Sequence, residues 1–205
     1  MKLVDRSVAD LLAAFRSSSP TPGGGSASAL SGAVGASLLA MVAGLPKSRA
    51  ATDEQSTELS AAGARCSVLS DELTVLIDRD SDAYDLVVSA YRRPKSTDEE
   101  KAARSAAIQE ALRTAIDAPL SVMRACAAAV EQAVTIARLG NPSASSDVLV
   151  GVELLGAGLR GARLNVDINL GSVKDEAYVN HARKAAADCA HRIAAAQSLI
   201  ADLKP

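Results

Sequence analysis

The sequence predicts an all-α fold, an up-and-down bundle of about six helices including long ones, packed as a homodimer. Three observations carry this. Hydrophobic residues make up 48% of the 205-residue chain but aromatics only 2%. About one residue in five is alanine, so the β-branched and aromatic residues that build sheets are too sparse. Apolar residues recur at steps of three and four over long stretches, and helix start and stop signals bracket those stretches. The length suits a single domain, residues 1–205, with a sizeable core. The apolar seams exceed what one small bundle can cover, which implies association.

Taken in order, Ser7 to Arg16 reads as a short helix. No charge occurs from Ser17 to Pro46, long enough to consider a membrane span. The stretch from Ser26 to Leu45 is rich in Ala, Ser and Gly and only weakly apolar, and Ser28, Gly32, Ala36 and Ala40 make one smooth face that lets another helix approach closely. A buried, tightly packed helix is therefore expected. Thr52-Asp-Glu-Gln55 and Thr97-Asp-Glu-Glu100 both fit the capping box and start two long helices. The first runs to Tyr91, ahead of Pro94. The second carries Pro119 as an expected kink and stops at Gly140-Asn-Pro142. Ser145 or Ser146 caps a helix to about Ile168, Gly171 interrupts, and Val173 to Leu203 forms the last helix.

In the first long helix, Leu59, Ala62, Cys66, Leu69, Leu73, Leu76, Asp80, Ala83, Val87 and Ala90 alternate steps of three and four, a heptad seam. Asp80 sits on that seam, whereas Asp78, Asp82 and Asp85 face outward as solvated charges. A carboxylate on an apolar stripe is paired, protonated or used, because burying it ionised and alone is costly. It is either a structural hydrogen-bond device or an acid/base group with a raised pKa. The next helix repeats the oddity: Val148, Val152, Leu155, Leu159, Ala162 and Val166 lead to Asn169, with Asp147 at the helix start, where its charge suits the dipole. Pro20-Thr-Pro-Gly-Gly-Gly-Ser26 precedes the small-residue helix and can hold an anion or a planar ligand, or serve as a plain connection; it lacks the Lys of a P-loop.

Several classes are disfavoured. A net charge of −2 and the scarcity of aromatics argue against nucleic acid. The amino terminus has no apolar signal region, so secretion is not expected. Cys66, Cys126 and Cys189 lack metal-ligand spacing and read as reduced cytoplasmic thiols. His181 and His191 read as surface or packing residues, and neither a metal site nor a Ser-His-Asp set can be assembled.

An ordered set of short motifs then stands out: Pro22-Gly-Gly-Gly-Ser26, Asp80-Ser-Asp-Ala-Tyr84, Pro94-Lys95, Glu99-Glu-Lys101 with Arg104, Ile108-Gln-Glu110, Ala118-Pro-Leu120, Gly140-Asn141, Ser146-Asp147 and Asn165 with Ile168-Asn-Leu170. Together they resemble the cyclodeaminase/cyclohydrolase family of one-carbon folate enzymes, over roughly Val8 to Ala201. The resemblance implies an all-helical dimer with folate bound between subunits, and no cofactor beyond the tetrahydrofolate substrate. It places the catalytic aspartate on Asp80. Around the folate it places Pro22, Gly23, Gly24, Gly25, Ser26, Lys95, Arg104, Gln109, Asn141, Asp147 and Asn169. Lys95 and Arg104 would suit the glutamate-tail carboxylates, Asp147 or Asn169 the pterin edge. The chain departs from the family at Leu45-Pro-Lys-Ser-Arg49, where a Thr and a Gly-Lys-rich turn are usual. The implied activity is that of a methenyltetrahydrofolate cyclohydrolase, favoured because no transferase domain accompanies this one. A formimidoyltetrahydrofolate cyclodeaminase and a non-catalytic dimerisation module of the same fold are the alternatives.

Overall fold

A computed structural model describes residues 2–202. Six α-helices follow one another: α1 (Val8–Phe15), α2 (Gly24–Ala43), α3 (Asp53–Tyr91), α4 (Asp98–Leu139), α5 (Ser145–Leu170) and α6 (Glu176–Asp202). Short 3-10 turns occupy Leu3–Asp5 and Pro142–Ala144. Among the described residues there is no strand.

Helices α2 to α5 form an up-and-down four-helix bundle in which each is antiparallel to the next. Gly25 and Ser26 lie beside Asp80 while Gly63 meets Ala43, which fixes the direction of α2 against α3. Glu58 pairs with Arg138 near one end of α3 and Arg104 bonds Tyr91 at the other, which fixes α4. Helix α6 runs along α4, with Arg113–Asp175 and Arg192–Glu131 ion pairs at 2.7 and 2.6 Å.

The small residues of α2 allow its neighbours to approach. A β-carbon at Gly35 would strike the Gly151 carbonyl, and one at Gly158 the Ser28 carbonyl. Ser28, Gly32 and Ala36 are buried as expected. By length and composition α2 and α4 could each cross a membrane, and half of the apolar window of α2 is covered by its neighbours. On α3 every apolar seam residue is buried except Val87, which is half-buried.

Several local expectations need correction. The Thr97 capping box is complete, but at Thr52 only half forms: Thr52 accepts the Gln55 N–H, while the Gln55 side chain accepts from Ala51 instead. Neither Ser145 nor Ser146 caps α5. The 3-10 turn at Pro142–Ala144 runs directly into it, so Ser145 is already helical, and Asn141 caps that turn by accepting the Ser143 N–H. The last helix starts at Glu176 rather than Val173, because Asp175 accepts the Tyr178 N–H as its cap; its expected end, Leu203, lies outside the described residues. Asp78 is not merely a solvated charge, since it accepts the Leu3 N–H at 2.6 Å and ties the amino-terminal turn to α3.

Helix α4 runs through Pro119 without interruption. Proline has no N–H, so the carbonyl four residues earlier, Ala115, loses its helical donor. Asn169 replaces it: its Nδ2 donates to Ala115 O at 3.1 Å.

Candidate active site

The site lies where α2 begins. Gly23 at the N-cap has no side chain for the orphan N–H groups of the first turn. Asp80 supplies the cap from α3. Its Oδ2 accepts the Ser26 N–H at 2.9 Å and lies 3.3 Å from the Ser26 hydroxyl, which also donates to Ile77 O at 2.8 Å. The buried Ser26 thus clamps the start of α2 to one turn of α3.

Gly25 is required by this approach: a β-carbon there would overlap the Asp80 carboxyl group. Burial pushes the Asp80 carboxyl above its ordinary range, and the bonds from Ser26 oppose this without cancelling it. Both contacts fall on Oδ2. Among the described residues Oδ1 accepts no hydrogen bond. The arrangement is a half-buried carboxylate with one oxygen tethered and the other free, at the positive end of a 20-residue helix. Such a group can take a proton from water and stabilise an adjacent cation.

The other expected site residues divide into three groups. Pro22 to Ser26 surround Asp80 as expected, although Gly24 and Gly25 already belong to the first turn of α2. Lys95, Arg104, Gln109 and Asn169 lie toward the same end of the bundle, and three of them hold structure together. Arg104 donates to Tyr91 O at 3.0 and 3.1 Å with its guanidinium 5.4 Å from the Tyr91 ring centre, closing the end of α3. Gln109 donates to Ser172 O and accepts the Lys174 N–H, pinning the connection into α6. Asn169 serves Ala115. Lys95 is exposed in the turn before α4.

Asn141 and Asp147 sit at the opposite end. Asn141 donates to Pro46 O at 2.8 Å and holds the divergent turn after α2; Asp147 is half-buried in the first turn of α5. The length of α2, roughly 25 Å between Ser26 and Ala43, separates them from Asp80 within one chain. A cleft of about 450 Å³ lined by Ser48, Ser56, Ser60 and Ser67 adjoins that turn.

One residue absent from the expected set lies beside the first turn of α2. The Asn165 amide lies 3.7 Å from where a Gly24 β-carbon would stand, and it donates to Gly161 O at 3.0 Å. A signal for it existed. Gly151 and Gly158 mark the stripe of α5 that meets α2, and one further step of seven reaches Asn165.

The formiminotransferase-cyclodeaminase family model matches residues 7–188. The chain belongs to this family. The methenyltetrahydrofolate cyclohydrolase of Methylorubrum extorquens is 42% identical over 180 residues, which are 88% of this chain and 86% of that protein. The formimidoyltransferase-cyclodeaminase of Sus scrofa is 34% identical over 168 residues, 82% of this chain but 31% of its own length. The solved formiminotetrahydrofolate cyclodeaminase of Thermotoga maritima superposes with a TM-score of 0.85, covering 97% of this chain and 95% of that one at 23% identity. That likeness speaks to the fold. Within this family fold, Asp80 and the Gly25–Ser26 turn are the candidate centre.

Proposed function

We propose that this chain is a methenyltetrahydrofolate cyclohydrolase, converting 5,10-methenyltetrahydrofolate and water to 10-formyltetrahydrofolate and a proton. The observation that carries the chemistry is the Asp80 carboxylate, held by Ser26 on one oxygen and free on the other. Water adds to the cationic methenyl carbon as Asp80 accepts its proton. The carbon–N5 bond then breaks with its electron pair going to N5, which takes the proton held by Asp80, while the hydroxyl on the carbon loses its proton to solvent and becomes the formyl C=O that stays on N10. The negative charge of Asp80 lowers the energy of the cation before attack, and the protonated carboxyl returns its proton as the ring opens. The scheme needs neither metal nor redox cofactor. The cyclohydrolase reading is favoured over the cyclodeaminase by the more identical relative, which this chain matches over 86% of its length.

The proposal includes a homodimer with folate between subunits, working in the cytoplasm. Val34 and Met41 on α2 and Val150, Leu164 and Ile168 on α5 are exposed, and Val34 and Val150 flank the Gly35–Gly151 crossing. This apolar face spans both helices and suits a second copy. Asn141 and Asp147, too far from Asp80 in their own chain, would contribute only through such pairing. The three cysteines are buried and free, and burial pushes the Cys66 and Cys126 thiols up to about 12, which leaves them unreactive.

The test is to mix the protein with 5,10-methenyltetrahydrofolate and follow the methenyl absorbance. Enzyme-dependent loss with formation of 10-formyltetrahydrofolate is expected. No acceleration, together with ammonia release from 5-formiminotetrahydrofolate, would assign the cyclodeaminase instead.

A further inference from the structure

The chain has four aromatic side chains, Phe15, Tyr84, Tyr91 and Tyr178. Three of them have structural work. Phe15 packs against the main core. Tyr91 lies under the Arg104 guanidinium. Tyr178 donates to Asp117 at 2.8 Å and has Arg113 5.5 Å from its ring centre. Tyr84 alone has no such role: it is 40% exposed, and among the described residues its ring has no cation and its hydroxyl no partner.

Its position follows from helix geometry. Tyr84 is one turn after Asp80 on the same face of α3. That face is covered by α2 only as far as Asp80, where α2 begins. Tyr84 therefore stands on the uncovered continuation of the same stripe. Helical side chains lean toward the amino terminus, so the Asp80 turn is the side toward which a side chain at position 84 leans. A large aromatic that stays 40% exposed one helical turn from a half-buried carboxylate, in a protein this poor in aromatics, offers a face to a flat ligand.

We propose that Tyr84 is the platform on which the pterin end of the substrate stacks, an inference that rests on the folate reading above. The phenol face suits two features of 5,10-methenyltetrahydrofolate: the flat conjugated ring, and the cationic N5–carbon–N10 bridge, which an electron-rich ring attracts. Stacking there holds the methenyl carbon near the free oxygen of Asp80. Because hydrolysis removes the positive charge, the same contact weakens in the product and favours its release.

Steady-state kinetics on the full-length protein test this. Tyr84→Phe should keep KM within about twofold of wild type. Tyr84→Ala and Tyr84→Leu should each raise KM about tenfold while changing kcat less than about threefold, with unchanged circular dichroism and sedimentation. Leucine fills much of the space without an aromatic face, so a normal KM in Tyr84→Leu would overturn the stacking role. So would an unchanged KM in Tyr84→Ala, or a shift in oligomeric state in place of the KM change. If the wild-type chain consumes methenyltetrahydrofolate but the variants do not shift KM, this inference alone fails; a wild-type chain that neither binds nor consumes any folate removes both readings.

Discussion

A β-carbon at position 25 would occupy the space of the Asp80 carboxyl group, whereas at position 24 its nearest neighbour is 3.7 Å away. Gly25→Ala should therefore displace Asp80, abolish most of the activity and cost about 1–3 kcal/mol of stability by overpacking, measured by thermal melting. Gly24→Ala should leave the melting temperature nearly unchanged. The raised pKa of Asp80 has two further consequences. As a base it works only when ionised, so kcat/KM should rise with pH through a limb lying above the ordinary carboxylate range. For stability the sign is opposite: with the folded pKa above the unfolded one, its contribution is fully present below the unfolded pKa and is lost as pH rises through the folded value. Ionisation of Asp80 therefore costs stability above its folded pKa, and Asp80→Asn, which keeps an acceptor for Ser26, should not lower the melting temperature at neutral pH. A pH–rate profile without an acid limb assignable to Asp80 would contradict this.

Between helices, polar side chains on apolar stripes repair backbone defects, and this explains both what the sequence disclosed and what it hid. Asn169 repairs the Ala115 carbonyl left without a donor by Pro119. Asn169→Leu should cost about 1–2 kcal/mol in the wild-type background and much less in Pro119→Ala, which restores the N–H; thermal melts of the double-mutant cycle check it. Equal costs in both backgrounds, or a loss of activity without a change in melting, would return Asn169 to the ligand. The heptad seam and the α5 stripe were legible because burial repeats at fixed spacing along one helix. So was Asp80, the polar member of an apolar series. What Arg104, Gln109 and Asn141 touch was not legible, because Tyr91 O, Ser172 O and Pro46 O are neighbours made by the fold rather than by spacing. The Gly151–Gly158 spacing marks Asn165 in the sequence, but its closeness to Gly24 arises only once α5 packs against α2.

At the scale of the molecule, one chain presents an apolar face on α2 and α5 and keeps two groups of candidate ligands at opposite ends of the bundle. Val34→Glu should shift sedimentation from dimer to monomer at micromolar concentration and reduce activity with it. A fully active monomer would show that one chain holds the whole site. The helical order itself follows from patterning and caps, but the proposed homodimer would depend on exposed residues whose partners lie outside a single chain. The account rests most heavily on Asp80 as the proton acceptor. The most direct measurement is the rate at which Asp80→Asn consumes 5,10-methenyltetrahydrofolate, followed by the methenyl absorbance, alongside its melting temperature and sedimentation. A fall in kcat of at least about 10²-fold in a variant that folds and assembles like the wild type is the predicted result. Near-normal turnover by a less stable or differently assembled variant would contradict it and leave Asp80 as a cap for α2 only.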